Sequence, residues 1–502
     1  MNTIHEFLKL QNGSDIRGIA LEGVEGEAVN LTSDVVQRIS AAFAEWIGMR
    51  LHKAVTDIHL AIGHDSRLSA QDLMQAAVVG LQKQGVSVFT CGMASTPAMF
   101  MSTVFPDIAM DGAIMITASH LPYNRNGLKF FTGEGGLEKE DIKNILRRAA
   151  SLSFASERSD KVQSLPLMER YAQFLRDNIT SALGGKRQPL QGMHMVVDAG
   201  NGAGGFFATA VLAPLGANIE GSQYLEPDGY FPHHVPNPED ETAMQAIQQA
   251  VIRSGCDIGF IFDTDVDRMS AVLADGKLIN RNGLIAMMAA ILSAEYPGST
   301  IVTDSVTSDE LTVFLEKELG LVHHRYMRGY KNVINECKRL NKEGIISPLA
   351  IETSGHGALK ENYYLDDGAY LAVKLVIAAA RAKQEGRTLY HYISRLQQPV
   401  ESREYRLPIT ETDDPVGYGN LVLAVLAQRA REQHISIATP SYEGVRLIFP
   451  EGWALLRMSL HDAEMPLNLE SKKVGGCQAM AQQIYSLLYG FAYLKRQILC
   501  HS

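Results

Sequence analysis

Ser119 stands where an apolar run gives way to a polar loop, in Gly112-Ala113-Ile114-Met115-Ile116-Thr117-Ala118-Ser119-His120, and Lys129 follows ten residues on. A hydroxyl at the end of a buried strand is held by the scaffold, while Pro122, Asn124, Asn126 and Gly127 turn the chain away from the sheet. A serine fixed in this way, beside an imidazole and an ammonium, suits covalent phosphate chemistry. The competing reading is a strand-end serine that merely satisfies nearby backbone. A second pattern weighs against it: Asp263-Thr264-Asp265-Val266-Asp267-Arg268, directly after the apolar Ile258-Gly259-Phe260-Ile261-Phe262. Three carboxylates at alternate positions converge if the loop curls, giving a hard oxygen site for Mg2+ with positions left for a phosphate oxygen and water. Arg268, next to them, is a fork for phosphate. An EF-hand calcium loop starts with the same spacing, but Arg268 and Met269 stand where it needs glycine and another oxygen donor, and Ala274 where it needs glutamate. A solvated acidic turn is the other alternative.

Strands and helices must bring these loops together. Thr32-Ser33-Asp34 opens a helix whose apolar face is Val35, Val36, Ile39, Phe43, Trp46 and Ile47. Ile58 to Ile62, Val86 to Phe89 and Ala113 to Thr117 read as buried strands separated by helical stretches near 69–84 and 97–104, which predicts an α/β domain with a mixed or largely parallel sheet. The alternation recurs at Met193 to Asp198, Ile258 to Phe262, Thr300 to Thr303 and Leu349 to Glu352. Beyond it, Glu404 to Ile409, Ser436 to Thr439, Gly444 to Phe449 and Trp453 to Ser459 are strand-like around a helix from Gly417 to Gln433, so the last part is expected to be α+β. At 502 residues the chain is too long for one core. The expected domains are 1–159, 160–276, 277–398 and 399–502.

Taken together, these motifs resemble those of the α-D-phosphohexomutases, the phosphoglucomutase/phosphomannomutase superfamily. The resemblance is carried, in chain order, by Ser14-Asp15-Ile16-Arg17-Gly18, Gly63-His64-Asp65-Ser66-Arg67-Leu68-Ser69, the Ser119 and Asp263–Arg268 motifs, Glu352-Thr353-Ser354-Gly355-His356, Glu443-Gly444-Val445-Arg446 and Gly452 to Ser459. It implies three related α/β domains and a C-terminal α+β domain around a central cleft. It also implies a phosphoryl group on Ser119, with Mg2+ held by Asp263, Asp265, Asp267 and an oxygen at Ser119. Hexose 1-phosphate and 6-phosphate, of glucose and also of mannose, would interconvert through a sugar 1,6-bisphosphate. Lys129, Arg67 and His356 match positions used for proton handling or orientation, with His120 as a supporting neighbour. Arg17, Lys331, Glu352, Ser354, His356, Arg457 and Ser459 match positions that bind substrate, and Arg328 is an added cation beside Lys331; an ordinary basic helix start is the competing reading of Met327 to Lys331.

The sequence departs from the family after Arg457-Met458-Ser459. Family members often continue with Asn-Thr, an acidic residue and Pro, whereas this chain has Leu460-His461-Asp462-Ala463. Leu460 cannot replace an amide, so the phosphate grip is expected to differ. That motivates a rival reading, a hexose-1,6-bisphosphate synthase using the same serine. A phosphoglucosamine mutase and a non-catalytic phosphosugar-binding protein are the remaining alternatives.

Composition narrows the classes further. With 46 Lys and Arg against 56 Asp and Glu, the net charge of −10 argues against nucleic acid as a partner. The cations needed for a phosphosugar must be gathered locally, from Arg17, Arg67, Lys129, Arg268, Lys331, Arg446 and Arg457. The sequence has no membrane-length apolar run and no secretory pattern at its N-terminus, so a cytoplasmic monomer or small homo-oligomer without a membrane partner is expected. Five scattered cysteines lack metal-ligand spacing. Gly200-Asn201-Gly202-Ala203-Gly204-Gly205 matches a dinucleotide fingerprint, with Glu220 downstream, but is expected to be a tight strand-to-helix turn.

Overall fold

The computed structural model describes residues 3–152, 154, 161–459 and 462–500. The chain groups into two compact units. One runs up to Ile291 and takes back Ser354–Tyr392; the other holds Leu292–Thr353 and the chain from Ile393 onward. The expected boundary near residue 159 lies outside the described residues.

The first unit starts with a mixed sheet. Its strands run in the order Gln11–Asn12, Asp15–Ile19, Arg125–Thr132, Gly112–Ile116, His59–His64, Ser87–Met93 and Val162–Ser164. His59–His64 is parallel to both Ser87–Met93 and Gly112–Ile116, and every residue of Gly112–Ile116 is buried, as an apolar run in a covered parallel sheet should be. Because parallel strands end at one edge, the loops at Asp65 and at Ser119 leave the sheet side by side. Arg125–Thr132 returns antiparallel, which sets Lys129 opposite Met115. The helix Ser33–Leu51 begins at Thr32, whose side chain accepts the Val35 N–H, and its apolar face joins Leu60, Ile62, Ile114 and Phe130 in the core.

A second sheet follows in the same unit. Met195–Asp198 lies parallel to Ile258–Phe262, which turns through residues 263–268 into the antiparallel strand Met269–Leu273. The returning segment adds the hairpin Gly357–Leu359 and Leu365–Asp366 and the helix Gly368–Gln384. Asp367 caps that helix and also accepts a 2.7 Å hydrogen bond from the Tyr171 hydroxyl, tying the helix Leu167–Ala182 to it.

In the second unit Thr300–Thr303 lies between Val322–Arg325 and Leu349–Ile351, all parallel. The C-terminal part is α+β, with the antiparallel order Glu401–Pro408, Glu464–Ser471, Gly452–Leu456, Val445–Phe449 and Ser436–Ile437, and its core includes Leu407, Leu447, Leu456, Leu467, Met480 and Ile484. Two of its elements were not anticipated from sequence, the strand Glu464–Ser471 and the helix Gly476–Leu487. Pro466 sits inside a central strand, a position where proline ordinarily argues against strand, and the helix opens with Gly475-Gly476. Pro466 has no N–H to give; its carbonyl accepts from Arg457 N at 3.1 Å. The strand expected over Trp453 to Ser459 stops at Leu456.

Candidate active site

Ser119 begins the polar loop in a left-handed conformation, φ 49°, and its N–H is held by Thr117 Oγ1 at 2.9 Å. Its hydroxyl donates to Asp263 Oδ2 at 2.8 Å and receives Arg268 Nη2 at 3.0 Å. The loop is closed from inside by Arg67, which is 2 % exposed. The Arg67 guanidinium donates to the carbonyls of Ser119, Leu121, Pro122 and Arg125. Burial lowers the Arg67 pKa to about 10 against the pull of Asp65. The two terminal nitrogens of Arg67 go to carbonyls, while its Nε, buried without a hydrogen-bond partner among the described residues, lies 3.5 Å from Asp65 Oδ2; Arg67 thus shapes the serine loop.

The aspartate loop is buried throughout. Val266, a β-branched residue at φ 68°, forms its apex, and a non-glycine in that region marks stored strain. Arg268 closes the loop by donating from N and Nε to the two oxygens of Asp263, at 3.2 and 3.1 Å. Lys129 reaches in from its strand to Asp265 Oδ2 at 2.9 Å and to Asp267 Oδ2. The glycine-rich stretch braces this loop. A Cβ on Gly202 would lie 2.6 Å from the Thr264 carbonyl, and Ala203 N donates to that carbonyl at 2.8 Å. Those glycines serve close backbone approach.

Three carboxylates this close disfavour one another. Burial, then the charges of Asp267 and Asp265, push the Asp263 carboxyl well above its ordinary range. Asp267 is lowered in spite of burial, because Lys129, His356 and Arg268 surround it. Asp265 Oδ1 and Asp267 Oδ1 are buried with no hydrogen-bond partner among the described residues. Anionic oxygens left in this way are costly unless a cation compensates them, and one ligand atom from each of Asp263, Asp265 and Asp267 falls within 4.8 Å of the others. The residues present therefore fit a small divalent cation.

The two histidines differ in charge. Burial, then Arg268, lowers the His120 pKa far below the usual imidazole value, and its Nδ1 lies 2.6 Å from Arg268 Nη2. Arg268 can only donate, so His120 is neutral with its proton on Nε2. Burial opposes charge on His356 too, but Asp366 and Asp267 prevail and raise its pKa to about 9. Its Nδ1 is 2.5 Å from Asp366 Oδ2 and 3.9 Å from Asp267 Oδ1. Gly355, at φ 95°, allows this approach, since a Cβ there would sit 2.7 Å from the Met269 carbonyl. Ser354 is buried in the same unit, and Arg17 donates to Asp15 Oδ2 at 3.0 Å and to the Thr117 carbonyl.

The remaining candidates lie in the second unit. Glu352 Oε1 accepts Gly329 N at 2.6 Å, at the start of the helix Tyr330–Lys342 that places Lys331 in its first turn. Glu443 accepts Arg328 N at 3.1 Å and the Ser305 hydroxyl through one oxygen, and its other oxygen lies 3.8 Å from Arg457 Nη1. Arg457 also reaches the Met458 carbonyl at 3.3 Å, and Ser459 Oγ accepts Asp462 N at 3.2 Å. Leu460 and His461 lie outside the described residues. Arg446 points elsewhere: it donates to Ser305 O, Thr307 O and Asp309 Oδ1 and stacks 3.6 Å over the Trp453 ring. It holds two parts of this unit together.

Sequence reasoning missed Thr96, which donates to Asp265; Asn237, whose Oδ1 receives Arg268 Nη1 at 3.1 Å; and Asp366 and Glu443 as partners of His356 and Arg457. Only Glu443 lay inside a noted motif.

Residues 9–156, 169–276 and 280–399 match, in turn, the phosphoglucomutase/phosphomannomutase alpha/beta/alpha domains I, II and III. The chain is 30% identical over 448 residues to a phosphoglucomutase of Neisseria gonorrhoeae, covering 89% of each. It is 27% identical over 449 residues to a phosphomannomutase/phosphoglucomutase of Pseudomonas syringae pv. tomato, covering 89% of this chain and 90% of that one. A crystal structure of a phosphoglucomutase/phosphomannomutase family protein from Burkholderia thailandensis has the same fold, with a TM-score of 0.78 at 23% identity over 99% of this chain and 100% of that one. Three domain matches in order, together with near full-length relatives, place this chain in the phosphoglucomutase/phosphomannomutase family.

Proposed function

We propose that this phosphohexomutase interconverts hexose 1-phosphate and hexose 6-phosphate, of glucose and also of mannose, using a phosphorylated Ser119, Mg2+ and a sugar 1,6-bisphosphate. The carrying observation is the shared centre in which Ser119 Oγ bonds Asp263 and Arg268 beside two buried, unpartnered aspartate oxygens. Asp263, Asp265 and Asp267, with an oxygen on phosphorylated Ser119, would hold Mg2+, which supplies charge neutralisation for the transferring group.

The protein's own groups do the rest. Arg268 holds the phosphoryl oxygens, with Asn237 behind it. Lys129 is kept protonated: burial opposes its charge, yet Asp265, Asp267 and Asp15 raise its pKa well above that of an ordinary lysine. It is therefore a donor in the resting centre, and protonated His356 is a second one. His120 braces Arg268. Glu352, Ser354 and His356 would bind the sugar hydroxyls, and Arg17, Lys331, Arg457 and Ser459 the substrate phosphate.

Purified protein incubated with Mg2+ and glucose 1-phosphate or mannose 1-phosphate should form the 6-phosphates, and its intact mass should include one phosphate on Ser119. Activity that persists in chelator, or an unphosphorylated serine during turnover, overturns this reading. A bisphosphate product that accumulates instead of passing to the 6-phosphate would assign the chain to the synthase reaction.

A further inference from the structure

We infer that Thr96 sets which divalent cation the aspartate loop accepts, by filling one oxygen of Asp265 so that this carboxylate offers only the other. The inference rests on the metal-site reading above. Thr96 opens the helix Thr96–Met101, but the capping duty there falls to Ser95, whose side chain accepts Ala98 N. The Thr96 hydroxyl is thereby released from its own helix. It donates to Asp265 Oδ2, and Thr96 N donates to the Asp265 carbonyl at 2.8 Å, so the residue grips both the side chain and the backbone of the loop.

Lys129 Nζ donates to that same Asp265 Oδ2 at 2.9 Å, and also to Asp267 Oδ2. A carboxylate oxygen has about two lone-pair directions, so two donors fill Asp265 Oδ2. What is left is Oδ1 of Asp265 and Oδ1 of Asp267, both buried and without a partner among the described residues. Asp265 thus presents a single oxygen, whereas Asp267 Oδ2, which accepts from Lys129, keeps a second direction. Ca2+ takes six to eight oxygens and commonly engages carboxylates through both, whereas Mg2+ keeps a tight octahedron with one oxygen from each. Thr96 therefore biases the loop toward the smaller ion. Unlike Lys129, it carries no charge, so replacing it leaves the charge of the site intact.

The test is calorimetric titration of the full-length protein, without substrate, with Mg2+ and separately with Ca2+. Thr96→Val, which keeps the shape and removes the donor, should raise the ratio of Ca2+ to Mg2+ affinity about tenfold, equivalent to about 1.4 kcal/mol. Thr96→Ser should retain the wild-type ratio. Should the valine variant not fold, Thr96→Ala makes the same comparison. A variant that weakens both ions alike, leaving the ratio unchanged, shows a packing role only and overturns the inference, as does a serine variant shifted as far as valine. If the wild type binds neither ion, the metal-site reading itself is overturned and this one with it.

Discussion

The serine and aspartate loops of the first unit and Arg457 of the second unit treat charge in opposite ways. In the first, Arg268, Lys129 and His356 make short contacts with carboxylates, and the terminal nitrogens of Arg67 are held by carbonyls. In the second, Arg457 meets a carbonyl at 3.3 Å and a carboxylate at 3.8 Å. The contrast separates two tasks. Groups aimed at a transition state work best when fixed beforehand, because nothing then has to reorganise during reaction. Groups that must take up and release a substrate work best when their resting contacts are weak enough to exchange.

The comparison breaks most sharply at Ser119. Ser119→Ala should lower kcat by about 1000-fold or more, because the hydroxyl is the proposed phosphate carrier, while the circular dichroism spectrum stays native. Near-normal multiple turnover would end the covalent mechanism. Asp265→Asn comes next: loss of an anionic ligand should cut kcat by about 100-fold and weaken Mg2+ binding, with little change in KM. A pure KM effect there would mean the aspartate loop binds sugar.

In the second unit the sign of the split reverses. Arg457→Ala should cost about 2–4 kcal/mol in kcat/KM, about 30- to 1000-fold, and most of it should appear in KM for phosphorylated sugars. A loss confined to kcat would place Arg457 with the fixed groups. The smallest effect is on stability. The folded pKa of His356, about 9, lies above its ordinary 6.5, so the stability from its ion pair is fully present below about pH 6.5 and lost as pH rises through about 9. In metal-free protein this amounts to at most about 3 kcal/mol, and His356→Gln should flatten that fall in thermal melts. An equally steep fall in the variant would assign the pH dependence to another group.

Much of the first unit could be read from the chain. The Ser119 and Asp263–Arg268 motifs sit at ends of apolar runs, so local pattern gave both the element and the side chain it presents. Arg67 and Arg446 were legible as cations but not by destination: one turned inward to a loop's carbonyls, the other bridged Ser305 and Asp309 to Trp453. Thr96 was invisible because its partner is 169 residues away and it forms no motif with it. The strand Glu464–Ser471 was hidden by a proline, tolerated where no N–H was required. The spatial grouping, in which Ser354–Tyr392 rejoins the first unit, follows from packing that chain order does not express.

Arg67 makes the serine loop resemble a host wrapped around a guest. Four carbonyl oxygens converge on one guanidinium supplied by a different loop, much as a macrocyclic ether closes on a cation. A cage of this kind takes its shape from its guest and owes nothing to what is attached at its rim. The backbone of residues 118–125 should therefore look the same whether or not Ser119 carries a phosphate, and hydrogen exchange there should be equally slow in both forms. Arg67→Lys would put a single ammonium, with three donors, in place of the planar fork. The loop would then breathe, and only then would its exchange rates depend on phosphorylation.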